Sequence, residues 1–137
     1  APEGLIDTTR PIQGGIRPHA PDDCGIRIVY GHEVEEMSAG EIAATILEHT
    51  GSGPPYLTFV IDCLDPAFAP GTGTPVAGGP SSAKILSVLR NLQGLDIRGA
   101  DVVEVGPGYE HADITAIWGA TVAMYMLGLR AERLTIR

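Results

Sequence analysis

The chain is poor in cysteine and in basic residues, and each shortage excludes a class of protein. Its only cysteines, Cys24 and Cys63, are too few for a disulfide framework and fit a reducing, cytoplasmic compartment. Nine Lys and Arg against 17 Asp and Glu give a net charge of −8, which argues against a nucleic-acid partner because phosphates require cationic side chains. No apolar run reaches the roughly 18 residues of a membrane span, so no membrane association is expected.

The rest of the composition is that of a folded domain. The chain has 137 residues, 44% of them hydrophobic, which suits one domain or part of a larger one. The sequence patterns predict strands at 12–17, 26–34, 56–62 and 100–106, and helices at 39–50, from Ser81 or Ser82 onward, and at 114–131. Strands that alternate with helices predict an α/β fold with a parallel sheet, here of about four strands and three helices.

Local signals refine some of these elements. Ser38 and Glu41 have the spacing of a capping box at the start of the first helix. The strand at 56–62 is apolar enough to be covered on both faces, and the helix at 114–131 is apolar enough to be buried. One connection is too short, because only 18–25 separate the first two strands and a parallel crossover usually needs a dozen or more residues. Either these strands are not parallel neighbours, or a helix is missing.

Carboxylates lie at the ends of two predicted strands. In parallel sheets, ligands collect at the carboxyl ends of the strands, and Asp62, Asp65 and Glu104 all lie there. Asp62 and Asp65 suit a hard divalent cation, although Asp65 in a D-P sequence equally suits a turn cap. Glu104 suits binding of a guanidinium group, or an internal salt bridge to Arg98.

The segment GTGTP (71–75) lacks the ending of a phosphate-binding loop, so its glycines are expected to allow tight turns. The histidines form no metal-binding motif, and Cys63 is expected to be a buried free thiol.

Long motifs carry a family resemblance. YLTFVIDCLDPAFAPGTGTPVAGGPSS (56–82) and GLDIRGADVVEVGPGYEHADITA (94–116) resemble the C-terminal half of the ureohydrolases, the family of arginases and agmatinases. DPAFAPGTGTP and YEHADITA resemble the agmatinase-like branch most, and EGLID and QGGIR near the start are also similar to family segments.

The resemblance implies a three-layer αβα arginase-like fold with a parallel sheet. It also implies a binuclear manganese enzyme that hydrolyses a guanidino compound to an amine and urea, with a metal-bound hydroxide as nucleophile. Members of the family usually assemble as homo-oligomers.

The roles carry over by position. In the family motif S-F-D-x-D-x-x-D-P the first two aspartates bind metal, and here the segment reads TFVIDCLDP. Asp62 matches the second metal ligand, whereas Val60 stands at the first and has no donor atom. Asp65 matches the aspartate that supports the loop, Thr74 matches a threonine that lines the site, and Glu104 matches the acid that receives the guanidinium group.

The departures from the family decide the expectation for function. The metal-binding motifs GGDH and D-A-H-x-D and the substrate-loop histidine are absent, and the family has a helix between the first two strands matched here. We therefore expect 1–137 to be the C-terminal portion of a ureohydrolase domain, a truncated and incomplete fold that is not catalytically competent alone. The alternative is a degenerate, non-catalytic subunit with an assembly or regulatory role. Self-association, or association with a full-length homologue, is expected in either case.

Overall fold

Four strands and four helices make up the fold in a computed structural model, which describes residues 3–4, 7, 9–18 and 24–135. In chain order they are β1 (Ile12–Ile16), β2 (Arg27–Tyr30), α1 (Gly31–Glu36), α2 (Ala39–Thr50), β3 (Tyr56–Val60), α3 (Ser82–Asn91), β4 (Gly99–Val103) and α4 (Ile114–Thr135). Short 3-10 turns at Ile61–Cys63 and Pro107–Tyr109 follow β3 and β4. The predicted α/β class and four strands are confirmed, with one helix more than predicted.

The strands form two separate parallel pairs. β1 pairs with β2, and β3 pairs with β4 in a continuous register from Tyr56↔Gly99 to Val60↔Val103. The first two strands are therefore parallel neighbours despite their short connection, so the alternative that they are not neighbours is wrong. Residues 19–23 of that connection lie outside the described residues.

The segment after β2 was predicted to continue as a strand to residue 34, and this is wrong. Helix α1 begins at Gly31, and the Glu33 carboxylate accepts a hydrogen bond from the Tyr30 backbone N–H at 2.7 Å. This is the return bond of a capping box, and it satisfies a backbone donor before the first helical turn. Val34 then points into the core.

The predicted starts of α2 and α3 are confirmed. The Ser38 hydroxyl accepts from the Glu41 N–H at 3.2 Å, and the Glu41 carboxylate accepts from the Ser38 N–H at 2.8 Å. Ser81, the first of the two candidate caps, accepts from the Lys84 N–H at 3.2 Å. Both hydroxyls satisfy backbone donors that would otherwise have no partner in the helix.

Two apolar clusters form the core. The larger joins β3 and its following turn to α3 and α4 and includes Phe59, Ile61, Leu64, Leu89, Leu92, Val122 and Met126. The smaller joins β2, α1, α2 and α3 through Val29, Val34, Ile42 and Val88. Helices α3 and α4 thus cover the face of β3 that carries Phe59, and they hold the carboxyl end of this strand in place.

The opposite faces are open. On β3, Tyr56 is 64% exposed and Thr58 is exposed; on α4, Ile117, Met124 and Leu127 are 63%, 65% and 71% exposed. The predictions that this strand is covered on both faces and that this helix is buried are therefore wrong. Among the described residues, no element lies over these surfaces.

Residues Ile114–Glu132 of α4 are also long and apolar enough to cross a membrane by length and composition. This criterion alone is weak evidence, because core helices of soluble proteins meet it as well.

Candidate functional site at the carboxyl edge of β3 and β4

The carboxyl ends of β3 and β4 lie side by side. Val60 pairs with Val103, so Asp62 follows the paired residues on one strand by two positions, and Glu104 follows them on the other by one. The two carboxylates therefore emerge from the same edge of one sheet, as their positions in the sequence predict. Ligands bind at this edge in α/β sheets.

Asp62 contacts the loop that follows it. The hydroxyl of Thr74 donates a hydrogen bond to Asp62 Oδ2 at 2.9 Å. The aspartate is half-buried at the end of β3 and the threonine is exposed. The bond occupies one carboxylate oxygen and brings the threonine to the edge of the sheet.

Asp65 points into its own loop. Its Oδ1 accepts from the Ala67 N–H at 2.9 Å, and its Oδ2 accepts from the Gly78 N–H at 2.8 Å. These backbone hydrogen bonds stabilise the charged form and lower the pKa of the Asp65 carboxyl below its ordinary value. The carboxylate thereby ties the start of the loop at 63–80 to its end.

Glu104 is exposed and has an unusual backbone. Its φ of 64° lies in the left-handed region, which disfavours residues other than glycine and is often found at functional sites. The alternative of a salt bridge to Arg98 is wrong, because Arg98 Nη2 lies 3.1 Å from Asp96 Oδ2 instead.

Gly71 joins the loops after β3 and β4. Its carbonyl accepts from the Gly106 N–H at 2.7 Å, and its own N–H donates to Thr115 Oγ1 at 2.8 Å. The Thr115 N–H in turn donates to Glu110 Oε1 at 2.6 Å. A Cβ on Gly71 would lie 2.9 Å from the Glu110 side chain and from Thr115 Oγ1. Gly71 is thus required for close approach, whereas the sequence predicted a tight turn.

Arg17 is the principal residue of the site that the sequence analysis missed. From the end of β1 its guanidinium group donates to the carbonyl oxygens of Asp62 and Cys63. These acceptors belong to the backbone, so no side-chain pattern in the sequence indicates them. Glu110 and Thr115 were missed as well, although both lie in the YEHADITA motif.

The residues at this edge do not fit a binuclear metal centre. Val60 has no donor atom, and nowhere in the described part of the chain do three or more His, Cys, Asp or Glu side chains group around a possible metal position. Cys63 carries a free thiol, and burial raises its pKa to about 12, so the thiol is protonated at neutral pH when no metal is bound. Of the two family metal-ligand positions on this strand, only the one at Asp62 carries a residue that can bind a metal.

A shallow groove of about 340 Å³ lies elsewhere, between β2 and α2. Arg27, Thr45, Glu48 and His49 line it. Arg27 is the first residue of β2, so the groove opens at the amino end of the strands and is separate from the carboxyl edge.

Comparisons with known proteins agree with this fold. The family model described as "Arginase family" matches residues 1–128, so the chain belongs to the arginase family. The chain is 51% identical over 131 residues to an agmatinase of Neisseria meningitidis serogroup C, and 50% identical over 131 residues to one of Photorhabdus laumondii. Each match covers 96% of this chain and 43% of the relative.

Solved structures give the same relation. A hypothetical agmatinase from Burkholderia thailandensis superimposes with a TM-score of 0.95 and 48% identity, over 99% of this chain and 44% of that one. The proclavaminate amidino hydrolase of Streptomyces clavuligerus superimposes with a TM-score of 0.89 and 40% identity, over 96% and 45%. The fold is therefore an incomplete arginase-like fold, and the chain corresponds to the C-terminal half of an agmatinase-like protein. It spans less than half the length of these relatives.

Proposed function

We propose that this chain supplies one edge of an agmatinase-like site for guanidine hydrolysis and does not complete the site alone. The observation that carries the proposal is the 2.9 Å contact between Thr74 and Asp62 at the edge shared with Glu104, beside a Val60 that has no donor atom. In this proposal Asp62 is a metal ligand, Thr74 lines the site, and Asp65 supports the loop.

Glu104 is proposed to receive the guanidino group of the substrate. Its side chain is exposed, and Arg98, the candidate internal partner, donates a hydrogen bond to Asp96 instead. A carboxylate matches a planar guanidinium group with two parallel hydrogen bonds. The net charge of −8 is compatible with a cationic substrate, although solubility alone also explains it.

Manganese belongs, in this proposal, to the assembled enzyme and not to the isolated chain. The arginase family generally uses this metal, whose hard divalent ion is suited by carboxylate, carbonyl and water ligands. A single aspartate cannot hold two such ions, so no catalytic step through the metal is assigned to this chain. Residues 1–137 are proposed to be the C-terminal portion of a cytoplasmic ureohydrolase domain that self-associates or joins a longer homologue.

The second candidate is a non-catalytic subunit with an assembly or regulatory role. Val60 favours it, because the valine removes a ligand inside a motif that is otherwise kept. A subunit of this kind would keep the loop architecture of Asp65 and Gly71 while the metal position was lost.

Complementation tests both candidates. The chain is mixed with a separately produced polypeptide that spans the other half of the Neisseria meningitidis agmatinase, and urea release from agmatine is measured with Mn²⁺. Urea from the unaltered chain in the mixture supports the first candidate. Urea release only by the mixture with the Val60→Asp variant supports the second candidate, the non-catalytic subunit. Val60→Asn is the matched control for this variant. No urea from either mixture, when the intact agmatinase is active in the same assay, would exclude a contribution to hydrolysis.

A further inference from the structure

Arg17 bridges three segments of the chain that meet at the candidate site. Its Nη1 donates to the carbonyls of Gly15 at 2.8 Å and Cys63 at 2.7 Å, and its Nη2 donates to the carbonyl of Asp62. Its Nε donates to the carbonyl of Val76 at 3.1 Å. One side chain thus joins the end of β1, the turn that carries Asp62 and the loop that carries Thr74.

The glycines before Arg17 make this reach possible. The pairing of β1 with β2 is irregular between Gly14 and Ile16, and Gly15 has a φ of 81° that few other residues adopt. A Cβ on Gly15 would lie 3.3 Å from Cys63 Cβ. The bulge therefore lets β1 approach the turn after β3 closely.

A guanidinium group suits this position better than an ammonium group. Among the described residues, no carboxylate lies within ion-pair distance of Arg17, and backbone carbonyl dipoles receive its hydrogen bonds. Four acceptors on three segments need several donors in a fixed plane, which arginine offers and the single nitrogen of lysine does not.

We propose that the QGGIR segment (13–17) is a positioning device, in which Arg17 fixes the turn that carries Asp62 against the loop that carries Thr74. Arg17 is a positioning residue, because it acts through the backbone of the aspartate and through Val76, on the same loop as the threonine. The proposal rests on the proposed function where it takes Asp62 to be a metal ligand. The effect of Arg17 on position is independent of turnover.

The experiment compares Arg17→Lys and Arg17→Ala with the unaltered full chain. Hydrogen exchange is followed at the Gly78 amide in the loop and at Leu89 in α3, and NMR follows the carboxyl ¹³C resonance of Asp62. The matched control is Arg10→Lys, because Arg10 also donates to a backbone carbonyl, that of Thr50, away from the site.

We expect Arg17→Lys to accelerate exchange at Gly78 at least about tenfold and to shift the Asp62 resonance, with Leu89 unchanged. Millimolar guanidinium added to Arg17→Ala should restore the Asp62 resonance, and Arg10→Lys should change neither signal. Unchanged Gly78 exchange and an unchanged Asp62 resonance in Arg17→Lys would overturn the inference.

Equal acceleration at Leu89 would also overturn it, because Arg17 would then serve global stability alone. If the expected changes appear while the complementation mixtures release no urea, the proposed function fails and the positioning role stands. If the complementation mixtures release urea while Arg17→Lys changes neither signal, the proposed function stands and the positioning role fails.

Discussion

Thr74 and Asp62 lie 12 residues apart in sequence and 2.9 Å apart in space, hydroxyl to carboxylate. The contact closes the loop after β3 back onto the end of its own strand. Within the part of the chain that the structure describes, the second carboxylate oxygen of Asp62 stays available, next to a strand position where valine replaces the expected aspartate. The loop at the site is therefore held in place, whereas the metal position lacks a ligand.

Restoring the missing ligand should increase metal binding. Val60→Asp places a second carboxylate two residues before Asp62, and two oxygen ligands hold Mn²⁺ better than one. We expect at least about tenfold tighter Mn²⁺ binding than in the unaltered chain, measured from the electron paramagnetic resonance signal of free Mn²⁺. Val60→Asn is the uncharged control, and equal affinities for the Asp variant and the unaltered chain would contradict the assignment of this edge.

Acid should release the loop at 63–80 through Asp65. Backbone hydrogen bonds lower the pKa of this carboxyl in the folded chain below its ordinary value of 3.8. Its stabilising contribution is therefore fully present above that value, and is lost as the pH falls through the lower folded pKa. Exchange at the Gly78 amide, corrected for its intrinsic pH dependence, should report this loss. Asp65→Asn should remove the transition, and a transition that persists in that variant would assign it to another group.

Gly71 and Gly73 offer a matched pair of substitutions. A Cβ on Gly71 would lie 2.9 Å from Glu110 and Thr115, whereas a Cβ on Gly73 meets no atom within 4 Å. We expect Gly71→Ala to lower the free energy of unfolding by about 1–3 kcal/mol, a typical cost of overpacking, and Gly73→Ala to change it little. Urea denaturation measures both. Equal effects would show that close approach is not the role of Gly71.

The open face of α4 should drive self-association. Met124 and Leu127 are well over half exposed, and an apolar surface of this kind favours contact with another apolar surface. Leu127→Lys should lower the association constant at least about tenfold in sedimentation analysis. Ala44→Lys, which adds the same charge at an exposed position of α2, is the control. Monomers for the unaltered chain, or equal loss in both variants, would contradict this role of α4.

The parts of the fold that follow from local sequence were predictable. Ser38 and Glu41 satisfy each other within one helical turn, so their spacing is sufficient to place the start of α2. The edge shared by Asp62 and Glu104 follows from the parallel arrangement of strands that alternate with helices. In each case the determining interaction is near in sequence or is set by the fold class.

The parts that depend on distant partners were not predictable. The acceptors of Arg17 are backbone carbonyls, which carry no side-chain signature, and Gly71 is constrained by Glu110 and Thr115 only after the chain has folded. The apolar pattern of α4 correctly predicts a helix. It does not tell whether this chain itself covers the helix, and Met124 and Leu127 are left exposed.

The most direct test of the central claim is urea release by the purified chain alone. The assay uses agmatine and 4-guanidinobutyrate with added Mn²⁺, and Asp62→Asn is assayed beside the unaltered chain. Because Asp62 is the single metal ligand that we propose among the described residues, we predict no urea above the enzyme-free blank from either protein. Mn²⁺-dependent urea release by the unaltered chain that disappears in Asp62→Asn would contradict the claim that this chain holds only part of the site.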